Sequence, residues 1–189
     1  MRTGTPFFMT YTPTYHDALV DVAHALADAA RIAILPHFRT TGLKAENKLK
    51  TGFDPVTIAD KAAEQAMRDV LAKLRPDDAI LGEEFGPKSG TSGLTWVLDP
   101  IDGTRGFVSG TPTWGVLIAV GDETGPKIGI IDQPYIGERF VGTPEGANFK
   151  GPHGAGPIQT GAKRPLAEAT VFTTFPEVGT LQDRAGFEA

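Results

Sequence analysis

The sequence predicts an α+β fold in which two amphipathic helices precede a sheet of several strands. Two segments, 14–36 and 57–75, carry apolar residues at helical spacing and stop at a proline. From residue 79 to residue 144, short apolar runs alternate with Gly, Pro and Asp turns. Helices and strands that are grouped in this way, rather than alternating along the chain, are typical of α+β proteins.

The first helix is predicted to begin at Thr14 and to end at Pro36. The residues after Thr14 resemble a capping box, with Asp17 in place of the usual Glu. An apolar stripe follows at Leu19, Val22, Leu26, Ala29, Ala30 and Ala33. Proline ends the helix because it has no amide hydrogen. The polar segment 39–53, which contains two glycines, is predicted to be a loop.

The second helix is predicted from a cap at Thr57–Asp60 to the pair Arg75-Pro76. Its apolar stripe comprises Ala63, Ala66, Met67, Val70, Leu71 and Leu74. The spacing places these side chains on one face, which we expect to pack against the sheet.

Short strands are predicted after the second helix, with a Gly/Ser/Lys loop at 87–93 between the first two. They are expected at 79–82, 94–99, 113–121, 126–134 and 137–144. The last three are separated by turn residues, which indicates an antiparallel meander. The segment 151–165 is rich in Gly and Pro and is predicted to be a linker, and 169–177 is predicted to begin a further strand.

These patterns divide the chain into three predicted parts. Residues 1–13 are an N-terminal extension, and residues 14–150 form the α+β domain. Residues 151–189 are predicted to be the linker and the start of a second α/β domain that is incomplete in this chain.

The composition excludes several classes of protein. The 189 residues carry a formal net charge of −5 and no cluster of Lys and Arg, so we expect no nucleic-acid partner. The chain has no cysteine and therefore no disulfide, thiolate ligand or thiol nucleophile. No apolar run reaches the roughly 20 residues of a membrane span. We expect no membrane partner, and the reducing cytoplasm is the simplest location.

Acidic residues cluster where predicted strands and helices begin or end. Each has an ordinary interpretation alone, as a helix cap, a solvated turn or a turn initiator. Together they are the hard oxygen donors that Mg²⁺ prefers. The residues are Asp54, Asp60, Glu83, Glu84, Asp99 and Asp102.

The segment Asp99-Pro100-Ile101-Asp102 is the strongest candidate for a metal site. A strand that ends in this way can supply two carboxylates and the carbonyl of Ile101 on one side of a stiff bend. The following Gly103-Thr104 pair can open a short helix whose backbone amides face an anion. Metal carboxylates beside phosphate-binding amides predict hydrolysis of a phosphate ester by metal-activated water.

The motifs resemble those of the inositol monophosphatase superfamily of Mg²⁺-dependent, lithium-sensitive phosphatases. The similar segments are DPVTIAD (54–60), GEE (82–84) and WVLDPIDGTRGFVSG (96–110), and the resemblance covers residues 14–150. It implies a layered αβαβα sandwich of N-terminal helices and an antiparallel sheet, two or three Mg²⁺ ions, a small phosphorylated metabolite as substrate, and a homodimer.

The resemblance also implies roles for individual residues. Glu83 corresponds to a catalytic glutamate that bridges metal ions, and Asp99 to an aspartate shared by two metals. The carbonyl of Ile101 completes the first metal site, and Asp102 binds the second. Asp60 lies near a third, weaker metal.

Other residues resemble those that activate water and bind phosphate. Asp60 and Thr104 correspond to the pair that orients and deprotonates the attacking water. The amides of Gly103 and Thr104 correspond to the phosphate cradle, with Arg105 at the mouth of the site. Lys50 matches a lysine near the metals, whereas Glu84 and Asp54 match structural positions.

The segment DGTRGFVSG (102–110) resembles the corresponding segment of the histidinol-phosphate phosphatases of this superfamily, whereas inositol monophosphatases tend to have the sequence DGTTNFVHG there. L-histidinol phosphate is therefore the expected substrate, and inositol phosphate is the alternative. A phosphatase for sulfated nucleotides is disfavoured because the early loops carry no insertion.

A catalytically incomplete binding subunit is a further alternative. The family's C-terminal Trp-Asp motif is absent, since Trp96 and Trp114 are followed by Val97 and Gly115. We therefore expect this chain to correspond to the N-terminal two-thirds of such an enzyme.

Overall fold

The structure, a computed structural model, describes most of the chain, namely residues 15–43, 45–47, 55–170 and 185–186. The chain separates into two compact units, Met1–Gln159 and Thr160–Ala189. The helices and the sheet belong to the first unit, and the second contains a short 3₁₀ helix at Leu166–Glu168. Thr14, most of the predicted strand 169–177, Lys50 and Asp54 lie outside the described residues.

The first helix, α1, spans Tyr15–Ile34 and continues into a 3₁₀ turn at Leu35–His37, where Pro36 ends the α-helical bonding. The prediction of this helix is confirmed, although its buried face is rotated slightly from the predicted stripe. The buried residues are Leu19, Ala23, Leu26, Ala27, Ala30 and Ile34.

The second helix, α2, spans Ile58–Leu74 and confirms the predicted cap. Of the predicted stripe, Ala63, Met67 and Leu71 are buried, whereas Leu74 in the last turn is 54% exposed because the helix ends there. A short hairpin precedes it, in which β1 (Ala45–Asn47) pairs with β2 (Pro55–Thr57). The prediction of an unbroken loop over 39–53 is therefore wrong at 45–47. These three residues carry no apolar alternation, and their strand pairing depends on a partner further along the chain.

Eight further strands form one mixed sheet, and a short helix, α3 (Thr104–Val108), follows the third of them. The strands are β3 (Ala79–Gly82), β4 (Gly86–Lys88), β5 (Thr95–Asp102), β6 (Gly115–Asp122), β7 (Gly125–Gln133), β8 (Glu138–Thr143), β9 (Gly146–Gly151) and β10 (Gly154–Ile158). Their order across the sheet is β10-β9-β8-β7-β6-β5-β3-β4. The predicted meander is confirmed, and β3 and β5 form a parallel pair.

Two predicted loops are partly strand. The predicted loop at 87–93 begins with part of β4, which pairs with β3, and the predicted linker 151–165 contains β10, which pairs with β9. Both are short strands at the edges of the sheet, where Gly and Pro are tolerated because one side of the strand needs no ladder partner. The division of the chain at residue 150 stays a prediction.

The core lies between the two helices and one face of the sheet. Alternate residues of β5, β6 and β7 point into it, and its largest side chains include Trp96, Leu98, Ile118 and Ile130. The opposite face of the sheet leaves Leu81, Val97 and Ile131 exposed. None of the helices within the described ranges combines the length and apolar character that a membrane span requires.

Candidate active site

Glu83 and Asp99 lie side by side because the two strands that carry them are parallel neighbours. Gly82 at the end of β3 is the pairing partner of Leu98 in β5. The Glu83 amide extends this ladder by donating to the Leu98 carbonyl over 3.2 Å. The residues that follow Gly82 and Leu98 are the two acids, so the topology places both carboxylates side by side. They lie at the edge of the sheet formed by the C-terminal ends of β3 and β5.

Pro100 interrupts the pairing of β5 with β6 next to Asp99. Asp99 pairs with Leu117 and Asp102 pairs with Gly115, so two residues of β5 oppose a single residue of β6 between these points. Proline has no amide hydrogen for the ladder, and such bulges turn the side chains beside them. The strand continues to Asp102, three residues beyond the predicted end at Asp99.

The Asp99 carboxyl lies in an unfavourable electrostatic environment. Burial, contact with the Glu83 carboxyl and the charge of Asp102 together raise its pKa to about 8, although a backbone hydrogen bond at Ile101 opposes the shift. Its Oδ1 atom is buried and has no hydrogen-bond partner among the described residues. A buried polar atom of this kind requires an explanation, and a cation provides one.

Gly103 and α3 complete this edge of the sheet. Gly103 has φ +86° in the left-handed region, and a Cβ on it would lie 2.8 Å from the Thr113 carbonyl oxygen, so the position requires glycine. Phe107 anchors α3 in the core, with its ring centroid 5.3 Å from that of Phe38 and 5.0 Å from that of Trp114. The predicted short helix is confirmed.

The first two residues of α3 differ in their surroundings. The Thr104 hydroxyl donates to the Ile101 carbonyl over 3.0 Å, which places this hydroxyl next to a predicted metal ligand. Arg105 is exposed. The hydrogen bond keeps Thr104 at the turn between β5 and α3, and its role with water stays a prediction.

Asp60 forms the capping box of α2. Its Oδ2 atom accepts from the Thr57 amide at 2.8 Å and from the Thr57 hydroxyl at 2.6 Å, and the residue is 2% exposed. Since α3 packs against β2, the start of α2 lies on the same side of the molecule as Thr104. The capping role is established here, and the predicted role in water activation is not tested by these contacts.

Glu64, which is not among the predicted site residues, is fully buried and contacts the turn after Glu83. One signal could have found it. Glu64 lies four residues after Asp60 and between Ala63 and Met67, so helical geometry places it on the buried face of α2.

The acids at this edge are compatible with Mg²⁺ but do not form a closed cage. Among the described residues, no group of three or more His, Cys, Asp or Glu side chains is arranged to hold a metal. Mg²⁺ usually takes one or two carboxylates and completes its octahedron with water and substrate oxygens. Glu83, Asp99 and the Ile101 carbonyl satisfy that requirement, and the buried Oδ1 atom of Asp99 supports the fit.

A cavity of about 860 Å³ lies elsewhere, between α1 and the strands β8 and β9. Its lining includes His24, Arg139 and Phe149 and none of the predicted metal ligands. Burial and the charge of Arg139 lower the pKa of His24. We base the candidate site on the sheet edge, because the carboxylates with unfavourable electrostatics lie there.

Known proteins resemble this chain over most of its length. A histidinol-phosphatase from Streptomyces coelicolor is 43% identical over 143 residues, which cover 74% of this chain and 52% of that protein. A Pasteurella multocida protein named Nus factor SuhB is 36% identical over 133 residues, which cover 69% of this chain and 48% of its own length. The chain thus spans about half the length of these curated relatives.

A solved structure agrees with the fold. An inositol monophosphatase from Zymomonas mobilis superposes with a TM-score of 0.76 at 37% identity, covering 93% of this chain and 66% of that one. The sequence model that describes the inositol monophosphatase family matches residues 16–183 of this chain. The chain therefore belongs to the inositol monophosphatase family.

Proposed function

We propose that the protein is a Mg²⁺-dependent phosphomonoesterase that hydrolyses L-histidinol phosphate to histidinol and phosphate. One observation carries the proposal. Glu83 and Asp99 meet at the ends of two parallel strands, where the buried Oδ1 atom of Asp99 has no partner among the described residues.

In this proposal Glu83, Asp99 and the Ile101 carbonyl would hold Mg²⁺, and Asp102 would contribute to a second metal site. When bound, the metal would lower the pKa of the attacking water and stabilise charge on the phosphate oxygens. The contact between Glu83 and Asp99 supports this assignment, because a shared cation would relieve the repulsion that raises the pKa of Asp99.

Asp60 and Thr104 orient the attacking water in the proposed reaction. Thr104 Oγ1 already contacts the Ile101 carbonyl, so its hydroxyl lies next to the proposed metal. Asp60 is held rigidly by Thr57 through two short hydrogen bonds. Proton transfer from water requires an acceptor and a hydroxyl that are each held in a fixed place, and these hydrogen bonds support that role for Asp60 and Thr104.

The substrate phosphate is proposed to lie at the turn between β5 and α3. Gly103 and Thr104 supply backbone amides there, and the exposed Arg105 supplies a guanidinium that can contact an incoming phosphate ester. Gly103 allows this turn to form, because its φ of +86° and the nearby Thr113 carbonyl oxygen leave no room for a Cβ.

Histidinol phosphate is preferred as the substrate because curated relatives at 43%, 40% and 34% identity carry the name histidinol-phosphatase. Inositol 1-phosphate is the second candidate. The similarity to the Zymomonas mobilis protein, an inositol monophosphatase that covers 93% of this chain, favours it.

The test is release of inorganic phosphate from both compounds by the full-length protein, with and without Mg²⁺. We expect Mg²⁺-dependent release with preference for histidinol phosphate. The matched control is Asp122→Asn, which removes an exposed carboxylate from the opposite end of the same sheet and should leave the rate unchanged. Release from neither compound would contradict the proposal, and preference for inositol 1-phosphate would change the substrate.

A further inference from the structure

Glu64 binds the backbone of the turn that carries Glu83. Its side chain is 0% exposed, Oε2 accepts from the Glu84 amide at 2.6 Å, and Oε1 accepts from the Phe85 amide at 3.2 Å. Both amides belong to the residues directly after Glu83. One buried carboxylate therefore fixes the path of the chain where the proposed metal ligand leaves β3.

Arg68, one turn further along α2, also contacts the turn after Glu83. We call Glu64 and Arg68 together the clamp. The Arg68 Nε atom donates to Glu64 Oε1 over 2.8 Å, and its Nη2 atom donates to the Gly86 carbonyl. The guanidinium carbon also lies 5.9 Å from the centroid of the Phe85 ring. The charge of Glu64 is thus balanced by the protein itself, so Glu64 differs from Asp99 and is not proposed as a metal ligand.

Gly82 permits the clamp to close. A Cβ on this residue would lie 1.9 Å from Glu64 Oε1 and 2.8 Å from Arg68 Nη2. The last residue of β3 therefore has no room for a side chain because the carboxylate lies directly against it. This contact links the strand that precedes Glu83 to the helix.

The same helix carries Asp60, one turn before Glu64. Residues four apart on a helix lie on one face, about 6 Å apart along the axis. Both carboxylates are buried, with exposures of 2% and 0%. A single rigid helix therefore supports the proposed water-activating residue directly and the proposed metal ligand Glu83 through the turn.

We propose that Glu64 is a positioning residue, whose contacts with the 83–86 turn set where the Glu83 carboxylate lies relative to Asp99. The proposal rests on the function proposed above, since it gives Glu83 a metal to bind. Some residues orient a metal ligand without contacting the metal. Removing such a residue typically weakens metal affinity by about 10–100-fold.

The test measures Mn²⁺ binding to the full-length protein by electron paramagnetic resonance, which needs no turnover. Glu64→Gln keeps the side-chain shape but replaces one acceptor oxygen with a donor. Gly82→Ala adds a methyl group whose nearest neighbours are the ends of the Glu64 and Arg68 side chains rather than backbone, so it should displace the Glu64 carboxylate. We expect each variant to raise the Mn²⁺ dissociation constant about ten-fold or more. Faster amide exchange at Glu84 and Phe85 should accompany this loss.

Asp78→Asn is the matched control. Asp78 is 1% exposed, accepts from Arg75 Nε at 2.7 Å and from Trp96 Nε1 at 2.8 Å, and precedes β3 at the end opposite Glu83. This variant should lower the melting temperature but change Mn²⁺ affinity by less than about two-fold, as expected for a partner remote from the metal.

Two outcomes would overturn the proposal, and they have different meanings. If Asp99→Asn weakens Mn²⁺ binding but Glu64→Gln and Gly82→Ala do not, Glu64 only stabilises the fold. If Asp99→Asn binds Mn²⁺ as tightly as the unmodified protein, the proposed function itself fails, and the positioning role fails with it.

Discussion

Asp132 and Asp99 are acids of the same sheet in opposite electrostatic environments. Asp132 in β7 is 0% exposed and accepts from Arg31 Nη2 at 3.3 Å and from Arg139 Nε at 2.7 Å. Burial alone would lower the pKa of Arg139, but its hydrogen bonds to Asp132 and Asp28 outweigh this and raise the pKa. This carboxylate is matched by cations that the protein supplies.

Asp99 has acidic neighbours where Asp132 has arginines. Glu83 and Asp102 add to the effect of burial, and the resulting pKa is about 8. The difference separates a structural carboxylate from a functional one. A buried acid with its own cations stabilises the fold, whereas a partly buried acid among other acids remains available for a metal.

The largest effect should come from Asp99→Asn. We expect Mg²⁺-dependent phosphate release by the full-length protein to fall by more than about 100-fold, because a direct ligand should matter more than the outer partners of a metal site. The circular dichroism spectrum should be unchanged, since the substitution preserves side-chain volume. Full activity in this variant would remove Asp99 from the proposed metal site.

Asp132→Asn should produce the opposite pattern. Breaking a buried ion pair leaves Arg31 and Arg139 without their shared charge, and we expect about 3 kcal/mol lower free energy of unfolding. Urea denaturation measures this loss, and the turnover of the folded fraction should not change. A selective loss of turnover with unchanged stability would show that Asp132 is a functional rather than a structural carboxylate.

Thr104→Ala should separate metal binding from water activation within the site. We expect turnover to fall by about 100-fold, as is typical when a proton-transfer partner is lost. Mg²⁺ affinity should change by less than about two-fold, because the Ile101 carbonyl and the carboxylates remain. Calorimetry and steady-state kinetics on the same preparation decide this, and an unchanged rate would exclude Thr104 from water activation.

A pH dependence of stability is also expected in the metal-free protein. An aspartate in the unfolded chain ionises near pH 3.9, whereas folded Asp99 does so at about 8. Between these values the folded state retains a proton that the unfolded state has lost, so the free energy of unfolding should fall as pH rises. The stabilisation is complete below about pH 4 and lost by about pH 8.

Asp99→Asn should remove this part of the pH dependence. The measurement is urea denaturation of both proteins in the presence of a chelator. The pH is varied between about 5 and 8, where Asp99 is protonated in the folded state but ionised in the unfolded state. An identical slope in both proteins would show that Asp99 ionises normally in the metal-free fold.

Local sequence signals predicted the helices and the meander. Thr57 and Asp60 encode the cap of α2, Pro36 and Pro76 mark helix ends, and each apolar stripe includes part of the buried face. The edge strand β10 and its neighbour β9 were missed because Gly-rich segments have little apolar alternation. Their pairing depends on neighbouring strands rather than on their own residues.

The candidate site was predicted from short motifs, but its geometry was not. The acidic motifs identified Glu83 and Asp99, whereas only the parallel pairing of β3 with β5 shows why they are neighbours. Glu64 was missed because a single Glu in a helix is usually solvent-exposed. Its burial depends on a turn about 20 residues later, which a helical pattern cannot reveal.

Mg²⁺ binding at the proposed site should displace a proton from Asp99. Calorimetric titration of the full-length protein with Mg²⁺ near pH 6.5, in two buffers of different ionisation enthalpy, measures proton release directly. With a pKa of about 8 for Asp99, we expect release of about one proton for each Mg²⁺ bound and little release from Asp99→Asn. Mg²⁺ binding without proton release, or equal release from both proteins, would contradict this expectation.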